Sequence, residues 1–132
     1  MTRYYLDASV AYRVLAQADR GSVGWWRSVN AGESDEIHAS EILRTELVRI
    51  LRRDREDAAR HVLVTEHVAE YPLDREILRL AEAIGPHIAT LDAIHLATAQ
   101  ALDIVLTIVT HDARMRAVAG RLGFAVLDPV TG

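Results

Sequence analysis

Four acidic side chains stand at positions where a charge is hard to explain by solubility alone. Asp7 follows the apolar run "YYL", and Asp112 comes just after the apolar run "IVLTIVT". Glu46 interrupts the apolar stripe of the helical pattern "EILRTELVRIL" when its residues are projected at about 100° each. Asp92 lies in the first turn of the helical pattern "TLDAIHLATAQ", which contains no other acidic residue and no arginine. Grouped carboxylates of this kind are suited to holding a hard metal cation.

Each acid also has an ordinary structural explanation. Asp7, Asp92 and Asp112 suit the start of a helix, where a carboxylate caps backbone N–H groups or faces the positive end of the helix dipole. Glu46 could form an ion pair with Arg44 or Arg49. Both arginines project away from Glu46 on the predicted helix, however, and burial of an unpaired carboxylate is costly.

Three polar residues lie beside these acids. Ser9 and Thr110 could orient the carboxylates of Asp7 and Asp112, or they could simply cap the same helices. His95 lies one turn after Asp92, so it could pair with that carboxylate, bind a ligand, or be a hydrogen-bonded histidine of the core.

Short strand patterns alternate with helical patterns along the chain, and these elements must position the acids. The fully apolar run "IVLTIVT" is typical of a central parallel strand, and "EYPL" indicates a third strand that Pro72 places at an edge. A long helix over "EILRTELVRILRRD" is expected to continue, after a break near Asp54, into "REDAARHVLVTEHV". The pattern predicts a three-layer α/β/α sandwich with a mostly parallel central sheet, and residues 1–132 as one domain.

The predicted parallel sheet would bring the four acids to one place. Ligands of such sheets bind in the crevice beyond the carboxyl ends of the strands, and all four acids are expected to approach it. Unit charges 4 Å apart repel by about 4 kcal/mol at the effective dielectric of a protein surface. A positive group must therefore lie among these carboxylates, or some of them must hold protons.

The composition limits what that positive group and the reaction can be. All 15 basic residues are arginine and there is no cysteine, which excludes P-loop and Schiff-base lysines, disulfides and thiolate chemistry. Mg²⁺ or Mn²⁺, which prefer oxygen ligands, fit best. Such an ion activates water for attack on a phosphodiester. The net charge of −4 argues against a nucleic-acid binder built on overall charge, although a local group of arginines could still bind phosphates. The absence of a leader or a long apolar run predicts a cytoplasmic protein that is not in a membrane.

Four segments together resemble the PIN domain family, and more narrowly the VapC-type toxins of bacterial toxin–antitoxin pairs. They are "YLDASVAYRVL", "SEILRTELVRILRR", "LDAIHLATAQALD" and "IVTHDARMRAVAGRLGFAVLDP", in family order over nearly the whole chain. The resemblance implies that Asp7, Glu46, Asp92 and Asp112 are the catalytic, metal-binding quartet, with Ser9 and Thr110 at the adjacent hydroxyl positions. It further implies an Mg²⁺- or Mn²⁺-dependent endoribonuclease, a homodimer, and a VapB-type antitoxin that covers the active groove.

Two further features are candidates for contact with RNA or with an antitoxin. Arg49, Arg52, Arg53 and Arg55 lie close to Glu46 and could bind phosphates or acidic residues, although a solvated face with local ion pairs is the alternative. Trp25 and Trp26 could belong to the core or line a groove for a partner helix. Because adjacent helical residues rarely point the same way, we expect one of them to face outward.

Two other functions remain open from the residues alone. The chain could be a receiver-type signalling domain phosphorylated on an aspartate, against which the missing lysine weighs. It could also be a binding module that keeps the acids only for docking a partner. Metal binding at the quartet distinguishes the enzyme from this module.

Overall fold

The computed structural model describes residues 1–131, which form a central five-stranded sheet covered by helices on both faces. The strands are β1 (Arg3–Leu6), β2 (Glu36–Ser40), β3 (Ala69–Tyr71), β4 (Thr107–Val109) and β5 (Ala125–Leu127). The helices are α1 (Ala8–Ala16), α2 (Arg20–Ala31), α3 (Ile42–Arg53), α4 (Val62–Thr65), α5 (Arg75–Glu82), α6 (Thr90–Leu102) and α7 (Ala113–Arg121). A short 3-10 helix, Ala58–His61, leads into α4.

The strands pair in the order β3-β2-β1-β4-β5, and every pairing is parallel. The chain builds β1, β2 and β3 outward in one direction and then crosses to add β4 and β5 on the other side of β1. The neighbours β1 and β4 therefore form a topological switch point, where a crevice opens beyond the carboxyl ends of the strands.

Alternate residues of the central strands supply two separate cores. Tyr5 and Ile108 lie in one buried cluster with residues of α6 and α7, whereas Leu6 and Val109 lie in another with residues of α1 and α3. Successive strand side chains point to opposite faces, so each central strand is apolar on both. The predicted three-layer α/β/α fold with a parallel sheet is confirmed.

Two predicted elements are shorter than their sequence patterns. The third strand ends at Tyr71, immediately before Pro72, and it lies at the sheet edge as expected. The long helix α3 ends at Arg53, and Arg55 has a positive φ of 58°. The break expected near Asp54 is thus present, and residues 58–65 beyond it form only the 3-10 helix and the four-residue α4.

The apolar helix α6 is buried in its middle and exposed at its ends. Leu96 and Ala99 pack into the cluster with Tyr5, whereas Ile94 and Ala97 pack against α5. Leu91 in the first turn is 48% exposed. The helix has 13 residues, fewer than the roughly 20 that cross a bilayer. Among residues 1–131, no helix is long and apolar enough to do so.

The substitution Gly21→Ala is expected to destabilise the fold. A Cβ at Gly21, in the first turn of α2, would lie 1.9 Å from the carbonyl oxygen of Pro129, so the C-terminal segment or the helix must move. We expect a loss of about 1–3 kcal/mol in the free energy of unfolding, measured by urea denaturation.

Gly24→Ala in the same helix is the matched control. Its Cβ would have no neighbour within 4 Å among the described residues, so the better helix propensity of alanine should raise stability by about 0.5–1 kcal/mol. Equal shifts for the two variants would contradict the close packing of Pro129 on α2.

Candidate active site

The carboxylate of Asp7 lies at the switch point, directly after β1. Asp7 holds the N-cap position of α1, but its side chain makes no cap hydrogen bond. Oδ2 instead accepts hydrogen bonds from Ser9 Oγ at 2.8 Å and Thr110 Oγ1 at 2.7 Å. The residue is 4% exposed. The capping explanation therefore fails for Asp7, whose carboxylate instead joins the carboxyl ends of β1 and β4.

A network of hydroxyl and backbone groups joins Asp7 to Asp112. Thr110 Oγ1 accepts the backbone N–H of Asp112 at 3.1 Å, and Ser9 Oγ accepts that of His111 at 3.0 Å. Asp112 also caps α7, because its Oδ1 accepts the N–H of Met115 at 2.9 Å. Asp112 is thus a helix cap, as its structural explanation predicts, and Thr110 links its backbone N–H to the Asp7 carboxylate.

Glu46 reaches the same crevice from α3 and contacts a histidine rather than an arginine. Its Oε1 lies 2.5 Å from His95 Nε2, and within residues 1–131 it forms no ion pair with Arg44 or Arg49. The same Nε2 is 4.0 Å from Asp7 Oδ1. His95 therefore supplies Glu46 with a hydrogen-bonding partner in place of the arginines.

Two alternatives for His95 are corrected by this arrangement. Its direct partner is Glu46 and not Asp92, and its ring is fully buried, so a ligand on the surface cannot reach it. Burial lowers the pKa of His95, but the hydrogen bond to Glu46 and the charges of Glu46, Asp7 and Asp92 outweigh burial and raise it.

Asp92 has an unfavourable electrostatic environment. Burial first, and then the negative charges of Asp7, Asp112 and Glu46, raise its pKa from 3.8 to about 6, despite the opposing effect of His95. An acid this strongly disfavoured in its charged form marks a functional site more often than a structural ion pair. The charges of the other three predicted acids thus all act on Asp92.

The donor set fits a hydrated divalent cation. No three acidic or histidine side chains within residues 1–131 stand close enough to ligate one ion directly. Mg²⁺ keeps several waters and takes only one or two carboxylates directly, so it does not need three protein ligands. The hydrogen bonds described above use Oδ2 of Asp7 and Oδ1 of Asp112, which leaves the second oxygen of each as a candidate ligand.

The arginines that follow Glu46 are exposed on α3 and beyond it. Arg53 forms an ion pair with Asp54 at 2.9 Å, as the solvated-face explanation predicts. Arg49, Arg52 and Arg55 form no ion pair within the described part of the chain. Arg49 also lines a shallow cavity with Arg44 and Glu70.

Both tryptophans pack against the core, which differs from the expectation that one would face outward. Trp25 meets Tyr4 edge-on at a centroid distance of 5.4 Å, and Trp26 meets His67 edge-on at 5.7 Å. Each is half-buried. Trp26 also lines a groove with Leu63 and Val64.

Two site neighbours were missed by the sequence analysis. Tyr5 is fully buried and its hydroxyl lies 2.8 Å from His95 Nδ1. Asp128, after β5, accepts hydrogen bonds from His111 and Arg116 at 3.0 Å each. Burial raises the pKa of Asp128, but His111, the Val130 N–H and Arg116 together lower it below its usual value. In the sequence, Tyr5 is indistinguishable from an ordinary core residue. The only signal for Asp128 is its place in the string "LDP", at the end of the last segment that resembles the family.

Comparison with known proteins gives concordant results. The family profile described as "PIN domain" matches residues 4–121. Ribonuclease VapC46 of Mycobacterium tuberculosis is 40% identical over 135 residues, which cover 98% of this chain and 99% of the relative. The fold is similar to that of a chain in the crystal structure of VapBC2 from Rickettsia felis bound to promoter DNA, with a TM-score of 0.73, 11% identity and coverage of 96% and 98% of the two chains. It is also similar to VapC20 of Mycobacterium tuberculosis, a sarcin-ricin loop cleaving toxin, with a TM-score of 0.70, 16% identity and coverage of 92% and 96%.

Proposed function

Because the chain belongs to the PIN domain family, we propose that it is a metal-dependent endoribonuclease that acts as the toxin of a toxin–antitoxin pair. The observation that carries this proposal is the meeting of Asp7, Glu46, Asp92 and Asp112 at the switch point between β1 and β4. The 40% identical relative is a ribonuclease. Family membership and this site do not favour a receiver domain or a non-catalytic module.

In this proposal the four acids hold Mg²⁺ or Mn²⁺. When bound, such an ion lowers the pKa of a water molecule and neutralises charge that develops on phosphodiester oxygens. Ser9 and Thr110 fix the orientation of the Asp7 carboxylate through their hydrogen bonds to Oδ2. Asp112 is fixed by its cap bond to α7. These residues hold the negative charges in place before a cation or RNA arrives, so little reorganisation is needed in the reaction.

The substrate is RNA, and we assign its phosphates to the arginine surface beside Glu46. Arg49, Arg52 and Arg55 are exposed and carry charge that no acid neutralises within the described residues. A phosphate backbone is attracted to such charges regardless of its sequence. Arg53 contributes less because Asp54 already pairs with it.

The partner is a VapB-type antitoxin, and the chain is a cytoplasmic homodimer in this proposal. Structural neighbours of this chain are toxin–antitoxin assemblies, including one from Klebsiella pneumoniae with a TM-score of 0.69. Trp26, Leu63 and Val64 line a groove together with Arg27 and Arg60, and its apolar part suits the apolar face of a partner helix. Trp25 packs against both Trp26 and Tyr4 beside that groove.

Removing divalent cations is expected to abolish cleavage of RNA. The purified chain would be incubated with RNA in Mg²⁺, in Mn²⁺ and in excess EDTA, and 5′ ends of the products would be sequenced. Mn²⁺ should also raise the Tm of the protein, since a ligand that binds only the folded state stabilises it. Full cleavage in EDTA would exclude metal-dependent chemistry.

The toxin role is tested separately, by growth arrest on expression and its rescue by the neighbouring small reading frame.

A further inference from the structure

A continuous chain of hydrogen bonds runs from the backbone of β2 to the carboxylate of Glu46. The N–H of Ser40 lies 3.1 Å from Tyr5 Oη, which lies 2.8 Å from His95 Nδ1. Nε2 on the other side of that ring lies 2.5 Å from Glu46 Oε1. Tyr5, Ser40 and His95 are each 0% exposed. Four different elements, β2, β1, α6 and α3, are thus joined at one side chain of the quartet.

The donor and acceptor of each hydrogen bond can be assigned in one direction, from Ser40 to Glu46. Ser40 N–H can only donate, so the Tyr5 oxygen accepts and the phenol proton is free to donate to His95 Nδ1. His95 then carries its own proton on Nε2 and donates it to Glu46. With this tautomer, each buried polar atom in this series of hydrogen bonds has a partner, as buried polar groups require.

We propose that Tyr5 and His95 form a positioning relay that aims the Glu46 carboxylate into the crevice. This inference rests on the proposed function of the site. His95 does not touch RNA or the cation; it acts through Glu46, as histidine and carboxylate partners behind metal ligands do in other sites. The edge-on packing of the Tyr5 and His95 rings, 5.7 Å apart and inclined by 74°, holds the imidazole plane so that Nε2 points at Glu46.

Glu46 needs such a partner because of its place on α3. Its neighbours Leu43 and Leu47 are buried, whereas Arg44 and Thr45 are exposed, so the Glu46 side chain lies at the boundary between core and solvent. Without His95, several side-chain rotamers of Glu46 would be accessible. A site left only partly fixed loses activity even when all its residues are present.

Two substitutions of His95 separate its two hydrogen bonds. The amide of glutamine reaches about as far as Nε2, so His95→Gln can still donate to Glu46. Asparagine reaches only about as far as Nδ1, so His95→Asn can keep the contact with Tyr5 but not the contact with Glu46. Both variants are polar and of similar size, and thermal unfolding of each controls for a general loss of structure.

The relay is tested in a double-mutant cycle with Glu46→Gln, measuring kcat and KM for RNA cleavage and, independently, the Kd of Mn²⁺ alone by calorimetry. We expect His95→Asn to lower kcat and weaken Mn²⁺ binding by about 10-fold or more, with KM unchanged, as loss of a residue behind a metal ligand does. His95→Gln should restore most of both. In the Glu46→Gln background, His95→Asn should add no more than about twofold, because its target is already altered.

The inference fails if His95→Asn has the same effect on Mn²⁺ affinity in both backgrounds, or if His95→Gln is as impaired as His95→Asn. If His95→Asn does not fold, Tyr5→Phe, which removes only the hydroxyl group, takes its place in the same cycle. If the two substitutions are coupled in Mn²⁺ binding but the wild-type protein cleaves no RNA, the proposed function is overturned and the relay is supported. If the wild-type protein cleaves RNA but the effects of the two substitutions are additive, the relay is overturned and the proposed function is supported.

Discussion

Replacing Asp92 by asparagine is expected to reduce RNA cleavage by at least about 100-fold, the upper end of what loss of a residue beside a metal costs, and to make the metal-free protein more stable. The two effects have one cause. The charged form of Asp92 is disfavoured by burial and by Asp7, Asp112 and Glu46. A cation compensates these charges in the working enzyme, but nothing compensates them fully in its absence.

The gain in stability has a defined pH dependence. The folded-state pKa of Asp92, about 6, lies above the ordinary value of 3.8. Between these values the folded chain retains a proton that the unfolded chain has released, so the Asp92 carboxyl lowers stability progressively as pH rises, and fully above about 6. Asparagine has no such proton. The variant and the wild type should therefore be equally stable below pH 3.8 and differ by about 1 kcal/mol at neutral pH, a figure reduced for solvent screening of this half-exposed group.

Urea unfolding in EDTA at several pH values measures this difference, and Asp103→Asn is the matched control. Asp103 ends the same helix, is exposed, and has a left-handed φ of 50° that asparagine tolerates. It should change neither cleavage nor the pH dependence. An Asp92→Asn protein that remained fully active in Mg²⁺, or that was less stable than the wild type at neutral pH, would remove Asp92 from the site.

Much of the fold was predictable because its signals are local. The apolar run ending in Thr110 predicted a central strand, and the alternation of strands and helices predicted a three-layer sandwich with acids at the carboxyl ends. Element lengths were less predictable. The break near Asp54 was expected, and the structure has it at Arg55 (φ 58°), but the helical pattern that follows forms only a 3-10 helix and the four-residue α4.

The site was predictable in its acids and not in the groups that support them. Asp7 and Glu46 stood out because a carboxylate is costly in an apolar pattern. Tyr5 has no such signature, because a tyrosine in a buried strand is ordinary until its hydroxyl is seen to reach both Ser40 and His95. The pairing of His95 with Glu46 joins residues 49 positions apart. The helices α3 and α6 pack on opposite faces of the sheet, so these two side chains meet only in the folded chain and no local spacing encodes their contact.

Asp7→Asn is expected to abolish cleavage without unfolding the protein. Asparagine can place its amide oxygen where Oδ2 of Asp7 lies, so that it still accepts hydrogen bonds from both Ser9 and Thr110. We therefore expect a change of no more than about 1 kcal/mol in the free energy of unfolding. The loss of charge next to His95 and Asp92 should reduce cleavage by at least about 100-fold and weaken binding of Mn²⁺ measured by calorimetry.

The control for this variant is Asp74→Asn, because Asp74 also holds an N-cap position. Its side chain accepts the N–H of Ile77, and asparagine caps a helix as well as aspartate does. If Asp7 were only a cap, both substitutions should be equally silent in cleavage and in Mn²⁺ binding. If cleavage and Mn²⁺ binding are instead lost in Asp7→Asn and unchanged in Asp74→Asn, a negative charge is required at the end of β1. A carboxylate that holds a metal needs that charge, whereas a carboxylate that only caps a helix does not.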